Sequence, residues 1–290
     1  MRKKTLFSAI CLFLLLAAVT TASERGAFPQ IGIGARPLAM GGAYVAVAEG
    51  NEASWWNPAG LSQVKNMQLG AMQTSLFGMA IPYQWLSAAL PVDKYAVGLS
   101  YTGLDASAAF GDFPYREQSF AATAAGELTV GGHLLKAGVN LKYNTLVGGT
   151  EATGTDEKGI GLDVGILWQS YPFSAGVAVR DLYTKLSGTL SVDGEEEPTE
   201  THLAPSLVVG AAYRAGKTLW AVDVSELATS PKVHIGVEYQ VNNAISVRGG
   251  YTGGSFSGGI GIRSGSWSFD YAYSTHQAGD AQRFSVGVLF

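Results

Sequence analysis

The sequence predicts an all-β fold, a transmembrane antiparallel β-barrel of about 14 strands. Three observations lead to this prediction. The last eight residues alternate between apolar and small or polar side chains and end on an aromatic residue, Phe290. Hydrophobic residues make up 47% of the chain, yet beyond residue 20 no apolar run is long enough for a membrane helix. Short alternating runs follow one another from Gln68 onward, as expected for strands that face lipid on one side.

Residues 1–22 have the composition of a secretory signal peptide. Positive residues at positions 2–4 precede an apolar stretch from Leu6 to Val19, and small residues suited to cleavage follow. An N-terminal membrane anchor is the alternative, which the shortness of the apolar run disfavours. The only cysteine, Cys11, lies in this stretch, so the mature chain would have no disulfide, thiolate nucleophile or cysteine metal ligand.

Residues 23–66 differ in composition from the rest of the chain. The small-residue stretch from Leu38 to Ala48 is suited to a short helix that packs closely on a neighbour. Gly32 and Gly34 lack the third glycine and the βαβ context of a phosphate-binding loop, so no nucleotide cofactor is expected here.

Fourteen runs with strand period follow, most of them about the 9–11 residues that a tilted membrane strand requires. They are Gln68–Phe77, Ile81–Leu90, Tyr95–Gly103, Ser119–Leu128, Leu134–Asn144, Gly159–Trp168, Phe173–Leu182, Ser206–Arg214, Thr218–Leu227, Lys232–Val241, Ile245–Gly253, Ser255–Arg263, Trp267–Ser274 and Arg283–Phe290. One face of the clearest runs is apolar, with aromatic residues toward the ends, and the other is small, polar or charged. A water-soluble sandwich would show the same alternation with its apolar face inward.

The lengths of the connections favour the barrel. Short turns follow the second, sixth, eighth, tenth and twelfth strands, and long connections are predicted at Leu104–Gln118, Thr145–Lys158 and Tyr183–Pro205. Short turns at one end and longer loops at the other are typical of outer-membrane barrels. The longest loop carries the acidic tract Asp193–Glu200, which we interpret as a solvated loop rather than a cation site.

The polar residues do not form a recognisable catalytic, cofactor-binding or metal-binding site. His234 shares a polar face with Glu238, but no serine is placed beside it in the sequence, so we interpret it as a polar residue of the interior. Neither an enzyme nor a cofactor is therefore expected. The net charge of −4 also argues against a nucleic-acid partner.

Charged residues on the polar faces are expected to line the interior and to pair with residues 23–66 or with one another. They are Asp163, Arg180, Arg214, Asp223, Glu238, Arg248, Arg263 and Asp270. This prediction favours a filled, ion-paired lumen over a wide pore.

The segment from Gly34 to Leu61 resembles the start of the FadL superfamily of outer-membrane proteins, and within it the PorV/PorQ branch. The shared features are the run Ala39-Met40-Gly41-Gly42-Ala43 and the motif Asn57-Pro58-Ala59. The resemblance implies that residues 23–66 fold as a hatch inside a barrel formed by residues 67–290. Gly41, Gly42, Asn57, Pro58 and Ala59 would then be the hatch motif. An ordinary turn before a strand is the alternative for Asn57-Pro58-Ala59.

The C-terminal strand resembles the signal by which the barrel-assembly machinery of the outer membrane recognises its clients. Its apolar face carries Phe284, Val286, Val288 and Phe290. The expected surroundings are the lipid bilayer of the outer membrane of a Gram-negative bacterium, with the chain as a monomer.

Two functions fit these expectations. The first is transport of hydrophobic or amphipathic compounds across the outer membrane, with a hydrophobic small molecule as the ligand. The second, implied by the PorV/PorQ resemblance, is a secretion-associated scaffold that docks secreted cargo or a protein of the secretion system. Outer connections without apolar capture helices favour the second.

Overall fold

The computed structural model of the chain describes residues 31–109, 114–150, 153–227, 230–276 and 279–290. The predicted signal peptide, residues 1–22, and the first part of the predicted hatch lie outside these ranges. Among the described residues, no helix has the length and hydropathy needed to cross a membrane.

Residues 31–66, called the hatch from here on, form three short helices joined by turns. Helix α1 is Ala35–Ala39, α2 is Ala53–Trp56, and a 3-10 helix covers Pro58–Gln63. Asn57 is extended, with φ −160° and ψ 103°, because a residue before proline is disfavoured in the helical region. Its side-chain oxygen accepts a hydrogen bond from Ala59 N at 3.2 Å and caps the 3-10 helix.

Strands make up the rest of the described chain. They are β1 (Gln68–Leu76), β2 (Ile81–Val92), β3 (Tyr95–Asp105), β4 (Tyr115–Val130), β5 (His133–Gly149), β6 (Thr153–Ser170), β7 (Phe173–Val192), β8 (Glu195–His202), β9 (Ser206–Ala215), β10 (Thr218–Ser225), β11 (Lys232–Gln240), β12 (Ile245–Thr252), β13 (Ser255–Ser264), β14 (Trp267–Ser274) and β15 (Ala281–Leu289).

Fourteen of these strands close into one antiparallel barrel, which confirms the predicted fold. The first and last strands pair, from Gln68 opposite Leu289 to Ser75 opposite Gln282. β8 is the extra strand, since it pairs with the second half of β7 and the barrel continues from β7 to β9. Closure leaves the wall without an open edge, which a bilayer requires because lipid cannot satisfy backbone polar groups.

The long connections predicted from the sequence are largely wrong. β4 to β7 continue past the alternating runs, and β7 alone covers 20 residues. Most of Thr145–Lys158 therefore belongs to β5 and β6, and Tyr183–Pro205 contains the second half of β7 and all of β8. The acidic tract Asp193–Glu200 is a hairpin turn followed by most of β8 rather than a loop.

The outer face of the barrel carries an apolar band. Leu141 and Ile160, both predicted to lie on apolar faces, are 55% and 53% exposed. On β5 and β6 the band ends after Tyr143, because the next outward pair is Thr145 opposite Lys158. A bilayer would cover this belt, whereas a water-soluble sandwich would bury it. The part of β4 to β8 that continues past the band is called the outer wall.

The hydrophobic core lies inside the barrel, where the hatch packs against the inward faces of the strands. Ile33, Met40 and Tyr44 of the hatch are fully buried. They belong to one apolar cluster with the inward-facing Met72 and Trp85. The space that a wide pore would occupy is therefore filled in this part of the lumen.

Candidate functional site: the hatch and the mouth cavity

Two glycines of the predicted hatch motif bring the hatch backbone against the wall. Gly41 has φ +65°, and a Cβ there would lie 2.7 Å from Tyr251 N. A Cβ on the facing Gly250 would lie 2.1 Å from Gly41 N. Gly42 has φ +79° and lies beside the His234 ring. Only glycine combines this left-handed conformation with so close an approach.

The same close approach recurs around the lumen. Inward glycines on seven strands stand where a Cβ would lie less than 3.0 Å from a hatch atom. They are Gly70 on β1, Gly138 on β5, Gly165 on β6, Gly176 on β7, Gly236 on β11, Gly250 on β12 and Gly259 on β13. Part of the high glycine content thus makes room for the hatch.

The Asn57-Pro58-Ala59 part of the motif lies against β5 and β6. The Asn57 side-chain nitrogen donates to Val45 O at 3.0 Å and to Ile166 O at 3.1 Å. Asn57 is fully buried, so these contacts satisfy its amide without water. Its side chain thereby links two parts of the hatch to the wall.

A chain of charged groups connects α1 to three strands. Arg36 donates to both carboxylate oxygens of Glu238, at 2.8 and 2.9 Å, and also to Glu49. Arg248 donates to Glu238 and to Asp270, each at 2.6 Å. Burial opposes the ionisation of Glu49, but the Arg36 guanidinium holds its pKa below the ordinary value. These contacts are the interior ion pairs that the polar faces predict.

Other charged residues of the interior are held by separate partners. Asp223 Oδ2 accepts hydrogen bonds at 2.7 and 2.8 Å from the backbone N–H groups of residues 44–45. Lys142 Nζ lies 2.7 Å from Asp163 and 2.6 Å from Asp181. Among the described residues, no group of three or more His, Cys, Asp or Glu side chains is placed to hold a metal ion.

His234 ties the hatch to β11. Its Nδ1 lies 2.9 Å from Gly41 O and 2.9 Å from Thr252 Oγ1, and its Nε2 lies 2.9 Å from Ser225 Oγ. The expectation that no serine lies beside His234 is wrong, because the pairing of β10 with β11 brings Ser225 to it. Because a carbonyl can only accept, Nδ1 carries a hydrogen, and in the neutral ring Nε2 accepts from the Ser225 hydroxyl. Both ring nitrogens are thus used in holding this region together.

The four residues predicted as a C-terminal assembly signal lie away from the lumen. Phe284 and Phe290 are 58% and 64% exposed. Val286 and Val288 face apolar residues of β1 across the closing seam of the barrel. Their role in assembly stays a prediction.

A cavity of about 370 Å³, the mouth cavity, lies between the hatch and the barrel end that carries the outer wall. Its apolar lining includes Ile31, Leu38, Trp55, Trp56, Phe77 and Phe256. Trp55 and Trp56 pack edge to face, with ring centroids 4.5 Å apart. The sequence did not lead us to predict this cavity. The feature that points to it is the pair of adjacent tryptophans in a segment of otherwise small residues.

A bulge in β7 places Arg180 beside the mouth cavity. Regular pairing of β6 with β7 is interrupted around Asp163, which faces residues 180–182. The guanidinium carbon of Arg180 lies 4.2 Å from the centroid of the Trp55 ring. Arg180 contacts the hatch through this ring, and within the described part of the chain it forms no ion pair.

A second cavity, of about 330 Å³, lies toward the opposite end of the barrel. The hatch residues Asn51 and Glu52 line it, together with Gln68, Asp270 and Ser285 of the wall. No residue lines both cavities, so the hatch separates them. Burial raises the pKa of Glu52 from its ordinary value of 4.5 to about 7.

Comparison with known protein families identifies the family of this chain. Residues 58–259, more than half of its 290 residues, match the family described as F plasmid transfer operon, TraF, protein. The chain belongs to this family. The match begins in the 3-10 helix of the hatch and extends into β13 of this TraF-family chain. A search among functionally curated proteins finds no match.

Solved structures share the fold of this TraF-family chain. The CymD monoaromatic hydrocarbon channel superposes with a TM-score of 0.64 at 16% identity, covering 89% of this chain and 98% of CymD. The P. putida toluene transporter TodX gives a TM-score of 0.57 at 15% identity, covering 89% and 99%. At such identities the likeness shows the fold alone. That fold is the one the FadL resemblance implies.

Proposed function

We propose that this protein lies in the outer membrane of a Gram-negative bacterium and passes hydrophobic or amphipathic compounds through its barrel. The apolar band, the closed wall and the predicted signal peptide support this location. The neighbours CymD and TodX are described as a monoaromatic hydrocarbon channel and a toluene transporter. In this proposal residues 23–66 act as the hatch and residues 67–290 as the channel wall.

The mouth cavity is the observation that carries the proposal. A cavity of about 370 Å³ is large enough for a small ligand. Its aromatic and aliphatic lining suits an apolar compound, and the hatch forms its floor. A compound that enters it can continue past a rearranged hatch to the second cavity or leave sideways through the wall. The mouth cavity comes first on either route.

Uptake by whole cells tests the proposal. Gram-negative cells that produce the protein would take up radiolabelled toluene faster than cells with an empty vector, because their lipopolysaccharide slows hydrophobic compounds. Ser255 lines the mouth cavity, so the indole of Ser255→Trp would occupy part of it and lower uptake toward the empty-vector level. Ser187→Trp is the matched control, since Ser187 is exposed on the outer wall and uptake should match that of the parent.

Two results would argue against transport. One is equal uptake by cells with the parent protein and with the empty vector. The other is parental uptake through Ser255→Trp in a protein that is present in the outer membrane in normal amount. Neither result depends on which route the compound takes after the mouth cavity.

The secretion scaffold of the PorV/PorQ type is the second candidate, and the outer wall favours it. β7 and β8 extend past the apolar band, and Glu195, Glu196 and Glu197 are exposed there. Such a projecting surface suits the docking of secreted cargo or of a secretion-system protein. Removal of the gene would then change the set of proteins that the cells secrete, and an unchanged set would exclude this role.

A further inference from the structure

The mouth cavity has an excess of positive charge, which a site for a purely apolar ligand would not need. Arg180 of β7 and Arg283 of β15 are among its lining residues. Arg180 Nε and Nη1 are buried without a hydrogen-bond partner, and so is Arg283 Nε. Arg283 donates once, from Nη1 to Ser274 Oγ at 2.7 Å. Neither arginine has a carboxylate at ion-pair distance in the described chain.

The acidic side chains near the mouth cavity already form ion pairs or hydrogen bonds with other groups. The lining residues of the cavity include one carboxylate, Glu226, which lies 2.8 Å from Lys232 Nζ. Asp181, next to Arg180 in the chain, lies 2.6 Å from Lys142 Nζ. Asp223, which does not line the cavity, accepts with Oδ2 from backbone N–H groups of the hatch, and its Oδ1 is buried without a hydrogen-bond partner. The mouth cavity is therefore cationic in a chain whose net charge is −4.

Unpaired buried cations are costly, because burial removes their hydration without supplying a counter-charge. Buried donors in native proteins are almost always satisfied, and each exception calls for an explanation. A ligand that carries a negative group would supply the missing counter-charge. A guanidinium has a planar fork of N–H donors that matches the two oxygens of a carboxylate.

We propose that the mouth cavity binds an aromatic carboxylate, with its acid group at Arg180 and Arg283 and its ring against Trp55, Trp56 and Phe77. The inference rests on the proposed transport function and narrows its substrate class. A neutral aromatic compound still fits the cavity but leaves both arginines unpaired, so it should bind more weakly than the matching carboxylate. Arg180 is the main determinant, because it contacts the Trp55 ring and has two unsatisfied buried nitrogens.

Calorimetric titration of the full-length protein in mild detergent tests this proposal with two ligands of the same shape, benzoate and its neutral isostere benzamide. The parent should bind benzoate at least about tenfold more tightly, since hydrogen bonds to a charged group are stronger than neutral ones. Arg180→Met should lose that preference and keep the benzamide affinity. Arg180→Lys, which keeps the charge but not the fork, should fall between the two. Arg116→Met is the control, because Arg116 is exposed and paired with Asp105.

The outcomes separate the inference from the function on which it rests. Equal affinity for benzoate and benzamide in the parent, together with normal toluene uptake, would overturn the anion site and leave transport standing. Absence of binding and of uptake would overturn both. Arg180→Met should be as stable as the parent or more so in the absence of ligand, since it removes an unpaired buried charge. A folded Arg180→Met that still prefers benzoate would refute the assignment to Arg180.

Discussion

Gly250 and Gly41 show how the hatch is seated, because their backbones meet with no side chain between them. Each inward glycine of the wall lets a hatch atom approach to a distance that a Cβ would block. The sequence could predict that these positions face inward, since they alternate with apolar residues. It could not predict which of them touch the hatch, because that depends on the path of a segment with no periodic pattern.

Gly250→Ala should destabilise the protein by about 2 kcal/mol, since the added Cβ would overlap Gly41 N. Gly249→Ala on the same strand is the matched control, because a Cβ there meets only Val237 Cγ1, at an ordinary distance of 3.7 Å. Its stability should be unchanged or higher by up to about 1 kcal/mol. Urea unfolding in lipid vesicles measures both. Equal effects of the two changes would show that the hatch does not rest on Gly250.

Glu52 should make stability depend on pH. It lies in the hatch, outside the strands that cross the membrane, and burial raises its pKa from 4.5 to about 7. A carboxyl group with a raised pKa stabilises the folded state fully below the unfolded-state value, and this contribution is lost as the pH rises through the folded-state value.

Glu52→Gln should therefore match the parent near pH 4 and exceed it above pH 7, by on the order of 2 kcal/mol. Gln resembles the protonated carboxyl group, so the comparison isolates this residue from the other acids that titrate. Unfolding curves of both proteins between pH 4 and pH 8 make the measurement. A constant difference across that range would contradict the raised pKa.

At the scale of elements, the hatch is joined to β11, β12 and β14 by a series of ion pairs. Its members are Arg36, Glu238, Arg248 and Asp270. Glu238 lies at its centre and accepts from both arginines. The sequence could predict that interior charges pair, because they share the polar faces of strands. It could not identify the partners, since Arg36 is more than 200 positions away from Glu238.

Glu238→Gln should cost about 3 kcal/mol, because it removes one partner from two buried cations. The hatch should also loosen, so chymotrypsin should cut after Tyr44, which is buried in the parent and accepts a hydrogen bond from Arg36. Asp105→Asn is the control, since it breaks the exposed pair with Arg116 and should cost less than about 1 kcal/mol. Resistance to chymotrypsin equal to that of the parent would mean that other contacts hold the hatch.

The strands show where alternation is informative. On β5 the predicted run Leu134–Asn144 covers the part within the apolar band, while the strand itself is His133–Gly149. Alternation marks a strand where one face meets lipid and the other the lumen. Past Tyr143 the outward residues are mixed, with Thr145 opposite Lys158 and Val147 opposite Asp156, so the contrast is lost although the strand continues. β8 was missed for the same reason, because its acidic residues carry no alternation.

At the scale of the whole molecule, the proposed function requires the barrel to lie in a bilayer. Val139 lies near the middle of the apolar band on β5 and is 40% exposed. In water, arginine at such a position would be tolerated. In lipid it would place a charge in the hydrocarbon region, which destabilises membrane barrels in a depth-dependent way.

The most direct measurement is therefore the unfolding free energy of Val139→Arg and Ser187→Arg in phospholipid vesicles. Both residues face outward, one within the apolar band and one on the outer wall. Val139→Arg should lose about 2–4 kcal/mol, and Ser187→Arg should stay within about 0.5 kcal/mol of the parent. Equal, small effects of the two substitutions would contradict a barrel that spans the membrane at this band.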